Sequence, residues 1–192
     1  GDDLSKIKAP LGVYSVLGNH DYGEYTSWKS NEEKNRNFKN LLKAQKEFGW
    51  NLLLNENDTI SVDGNKIKVI GVENWASSRF QQYGDLDKAY NGLNNEDFKI
   101  LMTHNPSHWN AKVTDAYNDI DLTLSGHTHG LQYGIDIGDF RVSPVRLAYK
   151  QWADLYELNK QYIYVNRGFG FMGYPGRVGI LPEITILELK KS

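Results

Sequence analysis

The chain predicts a layered α/β fold, on three observations. Apolar strand-like segments alternate with helical periodicity in its first half, strands dominate its last third, and three of the apolar segments run straight into clusters of turn-forming and polar residues. Leu11 to Leu17 reads as the first strand and ends at Gly18-Asn19-His20-Asp21. From Asn31 to Phe48, the apolar residues Phe38, Leu41, Leu42, Ala44 and Phe48 recur at near-helical spacing, and Gly49 supplies the stop. This predicts an amphipathic helix covering the core. Leu52 to Leu54, Thr59 to Val62 and Ile67 to Val72 read as strands, with Asp63-Gly64 as the hairpin turn between the last two. Phe98 to Met102 is a further strand, delivering Thr103, His104, Asn105 and Pro106 at its end, and Ile120 to Leu124 leads into Ser125-Gly126-His127-Thr128-His129-Gly130. Phe140 to Val142, Asp154 to Leu158, Tyr162 to Val165 and Ile184 to Leu189 complete the predicted strands.

Composition narrows the function classes. At 192 residues, with no linker and no internal repeat, the chain reads as a single domain over 1–192. Its 22 Lys plus Arg nearly balance 24 Asp plus Glu, so it lacks the positive field that nucleic acid requires, and no nucleic-acid partner is expected. The absence of cysteine excludes a disulfide framework, a thiolate metal site and cysteine nucleophilic catalysis. Any metal is therefore held by nitrogen and oxygen. No apolar run is long enough to span a bilayer, and the first residue is Gly rather than Met, so the sequence is silent on targeting.

Four of the five histidines follow predicted strands in three separate places: His20, His104, and the pair His127 and His129. In layered α/β architectures the loops beyond the carboxyl ends of strands gather at one edge, so distant residues converge there. Imidazole, amide and carboxylate donors without thiolate suit zinc, manganese, iron or magnesium. In an extended segment, alternate side chains point the same way, so His127 and His129 are expected to face one centre. A solvated turn is the competing reading of an isolated His-x-His. Three strand-end sites in one chain weigh against it.

Gly18-Asn19-His20-Asp21, His104 after its strand, and Gly126-His127-Thr128-His129 together resemble the calcineurin-like metallophosphoesterase superfamily. Through Ser125 to Gly130, and from Asn166-Arg167-Gly168 to Pro182-Glu183-Ile184, the likeness is to its bacterial YkuE-like branch. The resemblance implies a four-layer α/β/β/α sandwich of two mixed sheets. It also implies hydrolysis of a phosphomonoester, phosphodiester or pyrophosphate by metal-activated hydroxide. Carried over, the pattern makes Asn19, His104 and His127 ligands of one metal ion and His129 a ligand of a second. His20 becomes the proton donor and Asp21 the residue that orients its imidazole. Salt bridging is the default reading of Arg167, which is also a candidate for gripping substrate phosphate. In the family two ions about 3.5–4 Å apart share the work of hydrolysis.

Two further family motifs, Asp-x-His and Gly-Asp-x-x-Asp/Asn, precede the Gly-Asn-His motif, and neither occurs among these residues. The expectations that follow are a C-terminal portion of the domain lacking its first strands, at most one tightly bound metal, and impaired activity. An exposed strand edge adds an expected homodimer. The substrate class is a small phosphorylated or phospholipid-like molecule. The branch suggests a bacterial, membrane-associated or extracytoplasmic full-length protein. A noncatalytic metal-binding or assembly module is the alternative. His108, Arg177, Trp50, Trp75 and Trp152 read as structural, and Phe169, Phe171, Met172 and Tyr174 as core packing that could otherwise meet an acyl chain or a membrane.

Overall fold

The computed structural model describes residues 3–76, 81–138 and 140–190. In chain order the elements are β1 (Tyr14–Ser15), α1 (Asn31–Glu47), β2 (Asn51–Leu52), β3 (Glu56–Val62), β4 (Asn65–Gly71), α2 (Leu86–Tyr90) and β5 (Phe98–Met102). A π-helical turn over Trp109–Val113 then continues into α3 (Thr114–Ala116). β6 (Leu122–Ser125), β7 (Ile135–Ile137), β8 (Phe140–Val142), β9 (Asp154–Leu158) and β10 (Gln161–Val165) follow.

Six of these strands form one mixed sheet in the order β3-β4-β5-β6-β10-β9. Its four middle strands β4, β5, β6 and β10 run parallel, and the outer strands β3 and β9 are antiparallel to their neighbours. This is a mixed α/β fold consistent with the metallophosphoesterase architecture. Of the two mixed sheets the resemblance implies, the described residues form this one six-stranded sheet. The remaining described strands make two-stranded pairs, β1 with β2 in parallel and β7 with β8 antiparallel.

Local chemistry accounts for the main elements. Asp63 and Gly64 both adopt left-handed backbone (φ 50° and 78°), the two-residue turn that matches the twist of β3 and β4. At the start of α1, Ser30 accepts the Glu33 N–H at 3.2 Å while the Glu33 carboxylate reaches back to the Lys29 N–H at 2.9 Å. Gly49, at φ 77°, ends the helix as predicted. On one side of the sheet, Ile70, Leu101, Ile163 and Val165 pack against Leu86 and Ala89 of α2 and against Trp109 and Val113. A second, smaller core gathers Val145, Trp152, Ala153 and Ile180.

The structure corrects several expectations. Residues 184–189 form no strand: they run without regular structure, with Ile184 and Ile186 84% and 92% exposed. A strand persists only where a neighbour pairs its N–H and C=O groups, and among the described residues none does so here. The first strand shrinks from 11–17 to Tyr14–Ser15, because only these residues meet β2. α1 is only partly sheltered, with Gln45 its one buried residue. Phe169, Phe171 and Tyr174 are 72%, 63% and 65% exposed instead of packed in the core. His108 is fully buried, stacked on Trp75 at 4.6 Å, in line with its structural reading.

Candidate metal centre

Because β5 and β6 are adjacent and parallel, with Met102 in register with Leu124, the segments leaving them start side by side. The Ser125 hydroxyl and the Gly126 N–H both donate to the His104 carbonyl, at 2.9 and 3.1 Å, and so tie the two exits together. Val16 and Leu53, the residues just after β1 and β2, lie against the end of β4, where an added Cβ at Gly71 would collide with both. That close approach brings the Gly18-Asn19 turn over the ends of β5 and β6. Gly18 is required there, since a Cβ would stand 2.8 Å from the His104 ring.

Three donor atoms from these three places converge. Asn19 Oδ1 lies 2.9 Å from His104 Nε2 and 3.0 Å from His127 Nδ1, and the two imidazole nitrogens are 3.0 Å apart. Neighbouring hydrogen bonds orient each group. The Asn19 Nδ2 donates to the Tyr25 hydroxyl at 2.8 Å, which turns Oδ1 toward the imidazoles. His127 Nε2 lies 2.8 Å from the Tyr149 hydroxyl; donation there leaves Nδ1 bare and facing the cluster. Burial, with the neighbouring histidines second, depresses His104 to about 3 and His127 to about 4, so both rings are neutral and able to ligate at pH 7.

The triangle fits a divalent ion. Donors about 2.1 Å from a metal and at right angles to one another stand about 3.0 Å apart, as one face of an octahedron requires. Among the described residues no group of three or more His, Cys, Asp or Glu is placed to hold a metal, and the cluster that does form mixes two imidazoles with an amide.

His129 takes a different direction. His127 and His129 adopt left-handed backbone (φ 69° and 50°) on either side of a right-handed Thr128, so the segment is a tight turn, not an extended strand. The expectation that both imidazoles face one way is overturned for that reason. His129 Nδ1 instead lies 3.4 Å from Arg177 Nη2, whose guanidinium also meets the carbonyls of Arg167, Gly168 and Gly170 at 2.8–3.0 Å. Left-handed non-glycine residues cost of order 1–3 kcal/mol each and gather at functional sites.

His20 is exposed and stacks on Tyr25, with ring centroids 4.4 Å apart. The Asp21 carboxylate, expected to orient His20, accepts the Gly18 N–H at 2.7 Å and so braces the turn that carries Asn19. Burial raises its pKa, against the Gly18 bond and the nearby His20. Arg167 makes ion pairs. Its Nε donates to Glu183 at 2.6 Å, Nη1 contacts Asp136, and Nη2 lies 3.7 Å from Asp154. Of its two readings in the sequence, these contacts match the salt bridge. Burial raises the Glu183 pKa, but hydrogen bonds from Thr185, Tyr164 and Arg167 outweigh it and hold the group at about 2. Tyr25 and Tyr149 were not foreseen, because neither lies in a motif and each reaches the cluster through the tertiary fold alone.

The profile of the calcineurin-like phosphoesterase family matches residues 2–131. The metallophosphoesterase YkuE of Bacillus subtilis (strain 168) is 32% identical over 191 residues, covering 98% of this chain and 60% of that protein. A Bos taurus transmembrane protein with metallophosphoesterase domain is 31% identical, covering 98% of this chain and 41% of its own length. The metallophosphoesterase YkoQ of Bacillus subtilis (strain 168) is 27% identical, with 97% and 63% covered. The chain thus spans less than two thirds of the length of each of these relatives. No helix among the described residues is long and apolar enough to cross a membrane. With the family profile covering more than half of its residues, the chain belongs to the calcineurin-like phosphoesterases, a family that works with divalent metal ions.

Proposed function

We propose that the chain carries part of a phosphoesterase centre in which Asn19, His104 and His127 hold one divalent ion and His20 protonates the leaving group. The single observation that supports this most is the near-equilateral triangle of Asn19 Oδ1, His104 Nε2 and His127 Nδ1. Manganese, zinc, iron and magnesium are all compatible with one amide oxygen and two imidazoles. When bound, such an ion acidifies a water and offsets the negative charge of a phosphate ester. The remaining work falls to the chain's own groups. The two neutral imidazoles and the amide present lone pairs without adding negative charge that would repel the substrate. His20, exposed and stacked on the Tyr25 ring, would present a ring N–H to the departing oxygen. Asp21 fixes the turn on which both Asn19 and His20 ride. His129, beside Arg177, is the remaining candidate ligand for a second ion.

The test is hydrolysis of bis(p-nitrophenyl) phosphate with added manganese, with metal content measured in parallel. We expect one ion per chain after dialysis. His127→Ala should abolish metal retention, and His20→Ala should keep the metal while lowering kcat by about 10²-fold or more. Full activity in His20→Ala removes its role. Two ions per chain reject the single-ion site, and metal binding without any hydrolysis supports the noncatalytic module instead.

A further inference from the structure

A cleft of about 300 Å³ opens beside Asn19, walled by Tyr22, Tyr25 and Tyr83 with Glu24, Asn74 and Gln81. It continues into a second depression of about 250 Å³ that shares Tyr22, Glu24 and Tyr83 and adds Glu73 and Lys34. Tyr25 joins this cleft to the metal cluster: its hydroxyl accepts from Asn19 and its ring carries His20. The cleft therefore lies on the proton donor's side of the centre.

Its charge is distinctive. Glu24 pairs with Lys34 at 2.6 Å, while Glu73 accepts from two neutral donors, the Tyr22 hydroxyl at 3.1 Å and the Asn55 amide at 2.8 Å. Among the described lining residues Lys34 is the cation, and it is already engaged. Tyr22 and Tyr83 stack at 4.0 Å and form a flat wall whose hydroxyls reach the carboxylates, Tyr22 to Glu73 at 3.1 Å and Tyr83 to Glu24.

We infer that this cleft receives the alcohol released by hydrolysis, and that Glu24 and Glu73 select alcohols bearing hydroxyl or ammonium donors while rejecting those with a second negative charge. The inference rests on the phosphoesterase reading above. In the reaction the P–O ester bond breaks and the ester oxygen leaves with its electron pair. It takes the His20 proton as water supplies the new oxygen on phosphorus, and the water's proton restores His20 through solvent. A hydroxyl or ammonium group on the alcohol donates to the carboxylates, whereas a carboxylate or second phosphate is repelled by them.

Glycerol 1-phosphate and 3-phosphoglycerate share a three-carbon skeleton and differ mainly by one carboxylate, and O-phosphoethanolamine separates the ammonium from the hydroxyl source. With saturating manganese, kcat/KM for the glycerol or ethanolamine ester should exceed that for the glycerate ester by about 10-fold, the effect of one unfavourable charge pair in a partly solvated cleft. Glu24→Gln and Glu73→Gln should each reduce that ratio, and Glu24, with its side chain at the surface, keeps the test valid if the Glu73 variant folds poorly. Ligand-observed NMR on the chain without metal should show transfer to glycerol and ethanolamine and none to glycerate, a readout independent of catalysis. Equal rates for the glycerol and glycerate esters, or a ratio unchanged in Glu24→Gln, overturns the inference while leaving the phosphoesterase reading standing. Inertness toward bis(p-nitrophenyl) phosphate with selective NMR binding instead removes the catalytic reading and retains the cleft's preference. Glycerate binding as well as glycerol removes that preference.

Discussion

At the residue scale, the proposed centre would depend on groups other than its three ligands. The Tyr149 hydroxyl, 2.8 Å from His127 Nε2, selects the tautomer that bares Nδ1. Outer partners of this kind are worth about 10–100-fold in metal affinity. Tyr149→Phe keeps the ring, half-buried beside the small core, and removes only the hydroxyl. We expect manganese affinity, measured by titration calorimetry, to fall about 10-fold with thermal stability little changed. Unchanged affinity removes the positioning role. Arg167 gives the opposite pattern, because its guanidinium, 13% exposed, pairs with Glu183 and shares Asp136 and Asp154 with Arg141. Arg167→Ala leaves those carboxylates crowded, and denaturant unfolding should show a loss of about 2–4 kcal/mol. A change confined to KM would restore the phosphate-gripping role expected of it.

At the element scale, the site is assembled where short pieces cross. β1 and β2 are two residues each, and the residues just after them can lie against the end of β4 because position 71 has no side chain. Gly71→Ala would place a methyl 2.2 Å from Leu53 Cβ. Backbone displacement must follow, with a stability loss of about 1–3 kcal/mol. Since that pair leads to the Asn19 turn, metal affinity should fall along with stability. Retained affinity at reduced stability would separate the pair's packing from the placement of Asn19. The turn over His127 to Gln132 is the other decisive element. Its left-handed residues redirect His129 to Arg177 and leave His127 alone on the cluster.

Across the whole molecule, acid is the stress to which this fold should respond. His108 is buried against Trp75, with the Thr103 hydroxyl 3.0 Å from its Nδ1, and burial with Lys112's charge second depresses it from 6.5 to about 3. Below pH 6.5 the unfolded chain binds a proton that the folded chain refuses until about pH 3. Stability is thus complete above 6.5 and falls as the pH drops through that window, by roughly 2–4 kcal/mol from this group. Urea titrations at pH 7 and pH 4 should show that loss, and His108→Phe should reduce it. An identical acid loss in the variant assigns the effect to other groups.

The order of the strands in the sheet was not legible in the sequence, whereas most strands of the main sheet, the Asp63-Gly64 hairpin, the helix over α1 and the positions of Asn19, His104 and His127 beyond apolar strands were. Each is written in local periodicity or in a turn residue whose backbone preference acts over a few positions. What the tertiary structure alone decided lies where contacts join distant residues: Tyr25 on Asn19, Tyr149 on His127, and the carboxylates around Arg167. It also decided where backbone leaves the extended form, at His127 and His129, and where a predicted strand over 184–189 has no partner. The physical reason is that side-chain direction at a left-handed turn, and the pairing of a strand, are set by neighbours brought together only on folding, and a one-dimensional pattern carries no record of them.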